Sequence, residues 1–505
     1  MKLTNEQLTI LNEVKNKTPL IKVVAFAGTG KTTLLYHIAK EIKGKKLYLA
    51  FNKAIQMEAN EKFIGTNTLV KTTHSLAYNF VINRYGYKLK RGYSTMEIAQ
   101  IYSVDYKTAY EAKIIFENFC NSASSGFSDE NLTPAKQLAI QIFEDMLTKK
   151  IDITHSFYLK KFQLDLLTQN LKMPTYDLIL LDEAQDTNDV TLSIFYNIPA
   201  YQKIIVGDRH QQIYSFRGSV NAINKIKAKI FFLTHSFRFN DKIAYKATNF
   251  LKIFKNESKS LKGLGNNTKI QSKAIISRTN AELILQMKYL IEDKKPFKTI
   301  RPPKDIFGLA LNLYNLANDD EIENEYKFLN SFKTEYKFLS KAKKENYDND
   351  IFQFIEESVE DDIELLTAIK VAKTKDLEKI YKKATKYFDE KSDLYLTTAH
   401  TAKGLEFDEV KICDDFLCYK SIALWFLENE IFEEPENGYL EYFKAHCKEQ
   451  KYIDELNLYY VAITRAKTKL IDKTEFNYLT EEIANIKIDT EIKELMLISL
   501  KKDKL

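Results

Sequence analysis

The stretch VVAFAGTGKTTLL, Val23–Leu35, decides how the first half of the chain is built. Leu20 to Phe26 is a short apolar, β-branched run, and the residues from Lys31 to Lys40 recur with helical spacing, so the glycines fall on a strand-to-helix turn. Gly28 and Gly30 free the backbone there. Consecutive N–H groups can then converge on phosphate oxygens at a helix N-terminus, where the dipole also favours negative charge. In that setting Lys31 is placed to reach β- and γ-phosphates, and the Thr32 hydroxyl to take Mg²⁺. Ala25 stands where such a loop usually has its first glycine, a position that begins the turn rather than touching phosphate.

A glycine turn before an ordinary helix would look the same, so a second motif has to discriminate. LILLDEAQD, Leu178–Asp186, is an apolar strand that delivers Asp182 and Glu183 at its C-terminal edge, where a parallel sheet presents ligand-facing carboxylates. Asp182 suits Mg²⁺, usually through water, and Glu183 suits orienting and deprotonating an attacking water. Together the two motifs point to ATP with Mg²⁺ as cofactors.

Around these motifs the pattern alternates: strand 20–26, helix 31–42, strand 46–51, helix 53–63, strand 68–73, helix 74–83. That alternation argues for a parallel sheet covered by helices. From about 85 to 160 the reading turns helical, with a capping-box arrangement from Ser94 to Glu97, and strands resume at 176–181 and 203–208. The pattern then repeats. Strand signals at 229–234 and 273–278 precede a charge-rich helical stretch, and strands return at 394–400 and 409–414. The expected division is 1–84 and 161–228 for a first α/β domain with a helical insertion at 85–160. A second domain is expected at 229–302 and 392–475, with a reduced helical insertion at 303–391 and a C-terminal tail at 476–505.

Composition bounds the rest. The 505 residues are 45% hydrophobic and 29% charged, as in a folded protein, and no apolar run approaches a membrane span, so no membrane partner is expected. A polar, helix-like start and only four cysteines point to a reducing, cytoplasmic setting without a signal peptide, nucleoid-associated if bacterial. Cys413, Cys418, His446 and Cys447 cluster in sequence but fit no familiar zinc or iron–sulfur spacing. With 75 basic against 69 acidic side chains the net charge is only +6, so any nucleic-acid footprint must be local.

The ordered motifs resemble those of the UvrD/Rep/PcrA-like superfamily 1A DNA helicases, from LTNEQ at residue 3 to TRAK ending at 467. The resemblance implies two tandem RecA-like motor domains and an ATP-driven 3′ to 5′ DNA helicase or single-strand translocase. It makes Gln7 of LTNEQ the adenine reader and assigns Gly28, Thr29, Gly30, Lys31, Thr32 and Thr33 to the nucleotide. Thr33 stands where relatives often carry an arginine flanking adenine, which leaves Phe237 as the stacking residue. LAFNKA (49–54) and TTHSLAY (72–78) resemble single-strand-contacting motifs and contribute Asn52, Thr73 and His74. In VGDRHQQIYSFRG (206–218), Gln211 is the implied γ-phosphate sensor, and Tyr214 and Phe216 are implied base-stacking residues. LTHSFRF (233–239) places Arg238 at a first arginine finger. TTAHTAKGLEF (397–407) and YYVAITRAK (459–467) give His400 for DNA, Glu406 for the ribose and Arg465 as second finger.

The wording is nearest the F-box DNA helicase branch, with no F-box segment expected ahead of residue 1 and no nuclease domain expected after the sixth motif. Implied partners are single-stranded DNA, single/double-strand junctions, and a possible protein partner through the insertions or tail. An alternative expectation is a partner-controlled, DNA-stimulated ATPase switch in a repair or nuclease complex, with little unwinding of its own.

Overall fold

Six apolar stretches of the first half become one sheet: β1 (Leu20–Ala25), β2 (Lys46–Ala50), β3 (Thr68–Thr72), β4 (Tyr176–Leu181), β5 (Ala200–Gly207) and β6 (Lys229–Leu233). The computed structural model describes residues 3–128, 131–213, 221–267, 269–342, 351–358, 363–374, 376–416, 419–474 and 484–502. The strands run in the order β3-β2-β4-β5-β1-β6, and every ladder between them is parallel. Because crossovers place helices on both faces, the central strands are apolar on both faces rather than alternating. Leu178, Leu180, Ile204, Val206 and Val23 pack one way, with Ile10, Leu34 and Ile38. Ile179, Leu181, Ile205 and Val24 pack the other way.

That second core runs without a break into the expected insertion. Ile98, Ala109, Phe116, Leu138, Phe157 and Phe162, from helices Thr95–Tyr102, Tyr106–Asn121, Pro134–Leu147 and His155–Leu167, belong to the same cluster as the sheet residues. The capping box read at Ser94 is formed, Glu97 N–H donating to the Ser94 hydroxyl and Ser94 N–H to the Glu97 carboxylate.

The chain divides into two units, Met1–Phe237 and Arg238–Leu505. This corrects the expected boundary. The strand read as opening the second domain, now β6, lies beside β1 in the first sheet, with Val23 opposite Phe231 and Ala25 opposite Leu233. It takes the edge of β1 opposite β5, a pairing that spacing along the chain could not reveal.

The second unit has its own parallel sheet: β7 (Lys273–Ser277), β8 (Lys298–Thr299), β9 (Leu394–Thr398), β10 (Phe407–Ile412) and β11 (Ala466–Asp472), in the order β8-β9-β7-β10-β11. Between β8 and β9 run the helices Pro303–Ala317, Asn330–Ala342, Ile351–Ser358, Ile363–Ala372 and Leu377–Tyr387. Two parallel α/β sheets, each interrupted by helices, make the RecA-like pair that the motifs imply. The expected tail differs: Ala484–Lys502 is a helix that buries Ile488, Ile492 and Met496 and packs on the helices Tyr419–Glu428 and Gly438–His446. An i, i+4, i+8 apolar stripe drives that docking. Among the described residues no helix is long and apolar enough to cross a membrane.

Candidate functional site

The glycine loop and the acidic motif meet at the C-terminal edge of the first sheet. Gly28 and Gly30 take φ of +71° and +78°, left-handed values open to glycine at no steric cost, and Gly30 leads into the helix Lys31–Glu41. A side chain at Gly30 would stand 3.3 Å from the Gln7 amide and 3.6 Å from the Phe237 ring, so these two residues flank the turn. Gln7 is buried, closes the capping box with Thr4, and donates to the Thr29 carbonyl at 3.5 Å. Phe237 N–H donates to the Gly28 carbonyl at 2.8 Å. The Thr29 hydroxyl folds back on the Phe26 carbonyl, also at 2.8 Å. Phe26 itself is fully buried and stacks on His210, which makes the aromatic of the loop a core residue. Thr33 accepts from Lys62 Nζ at 3.2 Å.

Opposite the loop, the Lys31 ammonium donates to both carboxylate oxygens of Glu183 at 2.7 Å. Burial would lower the Lys31 pKa, but the charges of Glu183 and then Asp182 outweigh it and hold it above its ordinary value. Asp182 is pushed the other way, up to about 6, first by burial and then by Glu183, against the pull of Lys31 and a hydrogen bond from Tyr48. Tyr48 is a fully buried β2 residue whose hydroxyl donates to Asp182 Oδ2, while Glu183 N–H donates to Asp182 Oδ1 at 2.9 Å. Glu183 sits at φ +50°, ψ +43°, a left-handed conformation that costs a non-glycine residue about 1–3 kcal/mol. Gln211 donates to Asp208 Oδ2 at 2.8 Å and so joins the end of β5 to the same edge.

In the second unit, Arg238 donates from Nε to Glu406 at 2.7 Å and from a terminal nitrogen to the Thr464 carbonyl at 3.1 Å. Arg465 is 1% exposed and is held by the Val461 and Leu405 carbonyls and the Thr464 hydroxyl. Arg238, Glu406 and Arg465 thus converge around Thr464. The sixth-motif helix Gln450–Ile463 delivers Arg465 immediately before β11.

Residues 7–217 match the family description of an AAA domain, and residues 242–473 match the UvrD-like helicase C-terminal domain. The second half thus carries a UvrD-like helicase domain, and the pair of matches is consistent with a superfamily 1 helicase. F-box DNA helicase 1 of Gallus gallus is 29% identical, over 95% of this chain and 50% of that protein. F-box DNA helicase protein 1 of Schizosaccharomyces pombe is 28% identical, over 93% of this chain and 57% of that protein. A probable DNA helicase II homolog of Mycoplasma genitalium is 24% identical, over 88% and 81%. This UvrD-like chain therefore spans about half the length of the F-box helicases it matches.

The candidate DNA residues of this UvrD-like chain are less uniform. Asn52 is the N-cap of Lys53–Lys62, its side chain accepting from Ile55 N–H at 2.9 Å, so a local structural role already accounts for it. Thr73 is buried in the first turn of Thr73–Tyr85. His400 lies in the short helix Ala399–Ala402. Tyr214 and Phe216 lie outside the described residues, as does Cys418. Cys413 is buried beyond β10, and burial pushes its thiol pKa up.

His74 keeps an exposed edge, but its Nδ1 is 3.1 Å from the Tyr158 hydroxyl, which His155 Nδ1 also approaches at 3.1 Å. Burial first, and His155 second, push His74 down to about 4. At neutral pH it can offer a hydrogen bond to phosphate but no charge. Because the folded-state pKa lies below the ordinary 6.5, its contribution to stability is present above that pH and lost as pH falls through about 4. His74→Gln is expected to lose less melting temperature than wild type across that interval. Parallel losses in the two proteins would show that the ring is not desolvated.

Two residues that sequence reasoning did not single out belong to this edge. Tyr48 reads as an ordinary apolar-strand residue, and only sheet register puts it against Asp182. Gln185 lies inside the acidic motif, where its neighbours drew the attention.

Proposed function

We propose that the chain is an ATP-dependent DNA helicase that translocates 3′ to 5′ on single strands and acts at single/double-strand junctions. The observation that carries this reading is the Lys31–Glu183 pair, a loop lysine and a strand-end carboxylate at 2.7 Å beside the buried Asp182. Lys31 and the Glu183 carboxylate neutralise one another as a pair. When Lys31 turns to β- and γ-phosphates, Glu183 is freed to take a proton from water. Gly28, Thr29 and Gly30 line the phosphates, Gln7 reads the adenine edge, and Phe237 stacks beside Thr33. Gln211 senses the γ-phosphate.

Among the described residues no group of three or more His, Cys, Asp or Glu is placed to hold a metal. Mg²⁺ takes one or two protein ligands and completes its shell with waters and substrate phosphates, and the buried Asp182 carboxylate beside the loop suits that role. Thr32 and Asp182 are the residues that would hold it, and once bound it would neutralise charge shared by the β- and γ-phosphates. Glu406 is assigned to the ribose, and Arg238 and Arg465 to the charge that builds on the γ-phosphate. Asn52, Thr73, His74, Tyr214, Phe216 and His400 are the assigned DNA residues, with Asn52 acting chiefly through its cap. Polarity is carried over from the family resemblance.

The test is ATPase rate with and without single-stranded DNA, alongside unwinding of duplexes bearing a 3′ or a 5′ overhang. Stimulation by single strands and preference for the 3′ overhang are expected; no stimulation would sink the motor reading, and a 5′ preference the polarity. Glu183→Gln should keep ATP binding while turnover falls by about 10²- to 10⁴-fold, since the amide keeps the shape but cannot accept the proton. Loss of ATP affinity together with turnover would show that Glu183 has another role.

A further inference from the structure

Gln185 is fully buried, and its side-chain amide is used at both ends. Nε2 donates to Glu183 Oε2 at 2.5 Å and to Asp186 Oδ2 at 3.3 Å, while Oε1 accepts the Asp208 N–H at 3.0 Å. An amide can do this because it carries donor and acceptor together; a carboxylate or an ammonium offers only one of the two. The space for it is made by Gly207. A Cβ there would come within 2.4 Å of Gln185 Oε1 and 3.0 Å of Ala184 N. The bonds continue on the far side, where Asp208 Oδ1 accepts from His210 N–H at 3.0 Å and Oδ2 from Gln211 Nε2 at 2.8 Å. Glu183, Gln185, Asp208 and Gln211 are thus links of one chain of hydrogen bonds between the ends of β4 and β5.

The geometry points to Gln185 as a positioning residue, a strut that keeps the Glu183 carboxylate aimed once Lys31 leaves it for nucleotide, and that ties this aim to the 207–211 turn. The inference rests on the catalytic reading of Glu183 and goes beyond it. Glu183 sits in a left-handed turn, and Lys31 and Gln185 both donate to its carboxylate. When the lysine moves away, the Gln185 amide still donates to the carboxylate and resists its rotation. Because Gln211 sits at the other end, a shift of the 207–211 turn would move the base.

Gln185→Met keeps length and apolar bulk but has neither end of the amide. It is expected to lower kcat by about a hundredfold, the effect of a small misplacement of a catalytic group, with the affinity for a fluorescent ATP analogue unchanged. Gln185→Glu keeps the acceptor for Asp208 N–H but sets a carboxylate against Glu183, and should lose at least as much. Placed on Glu183→Gln, Gln185→Met should cost nothing further, because a residue that acts through Glu183 has no effect once the base is gone. Wild-type turnover in both single variants, or a full additional loss in the double variant, would overturn the proposal. So would collapse of both single variants below the assay temperature, which would assign Gln185 to folding. Amide exchange in the nucleotide-free protein gives a reading independent of catalysis: Asp208 N–H should exchange faster in Gln185→Met, and unchanged protection would count against the strut. If the wild-type chain hydrolyses no ATP, the catalytic reading fails by itself, and exchange at Asp208 decides the strut alone.

Discussion

Lys31→Ala is expected to bring DNA-stimulated ATP hydrolysis down to assay background. On the proposed reading the γ-phosphate would lose a preorganised cation in a desolvated site, where removal of a single stabilising donor already costs roughly 3–4 kcal/mol of transition-state stabilisation. The apo state should register the change as well, because Lys31 is 2.7 Å from Glu183 and its charge also opposes the elevation of Asp182. Asp182 stands at about 6 with Lys31 present. A carboxylate raised above its unfolded value favours folding in its protonated form, so its contribution is fully present below about pH 4 and fades as pH rises through the folded-state value. Without Lys31 that value rises and the loss grows. In chelator, without nucleotide, Lys31→Ala should melt lower than wild type near neutral pH and recover part of the difference on mild acidification. ATPase near the wild-type rate would show that the loop is not the active nucleotide site. A melting difference that widened on acidification would refute the electrostatic account.

What could be read from the sequence, and what could not, follows from the range of the interactions. The turn at Gly28–Gly30, the strand at Tyr176–Leu181 and the cap at Ser94 rest on contacts between residues a few places apart, so local pattern was enough to find them. The position of β6 depends on pairing with β1, some 200 residues away, and nothing local distinguishes an edge strand of the first sheet from the opening strand of a second. Tyr48 and Asp182 illustrate the same limit in the site: 134 residues separate them, and only the β2–β4 register brings the hydroxyl to the carboxylate. The packing of the helix Ala484–Lys502 is not legible locally for a related reason, since its apolar stripe becomes meaningful only beside the helices it covers. Motif identity carried more than pattern did for Arg238, Glu406 and Arg465. Their sequence positions span more than 220 residues, yet Arg238 reaches both Glu406 and the Thr464 carbonyl.

Arg238→Ala and Arg465→Ala should both stop turnover, and the difference in their stability separates what each arginine does. If both answer charge on the γ-phosphate, each loss should lower hydrolysis by about the 10³ to 10⁵ of a missing arginine finger, and DNA should no longer stimulate what remains. Arg238 pairs with the partly exposed Glu406 and also donates to the buried Thr464 carbonyl, so Arg238→Ala gives up a weak ion pair and one hydrogen bond and should lose less melting temperature than Arg465→Ala. Arg465 is different. The residue is 1% exposed and its guanidinium donates to the Val461 and Leu405 carbonyls; truncation leaves a cavity and the Leu405 carbonyl without that donor, at about 1–3 kcal/mol for an unsatisfied group, while Val461 keeps the Thr464 hydroxyl. Arg465→Ala should therefore lose melting temperature as well as activity, while Arg465→Lys, which keeps charge but not the planar fork, should recover part of the stability without recovering turnover. Calorimetry and single-strand-stimulated ATPase on the same preparations decide it. Near wild-type hydrolysis by a folded Arg238→Ala would remove Arg238 from the catalytic set. If Arg465→Lys restored both melting temperature and turnover, Arg465 would be a packing residue of the second unit and its finger assignment would fall.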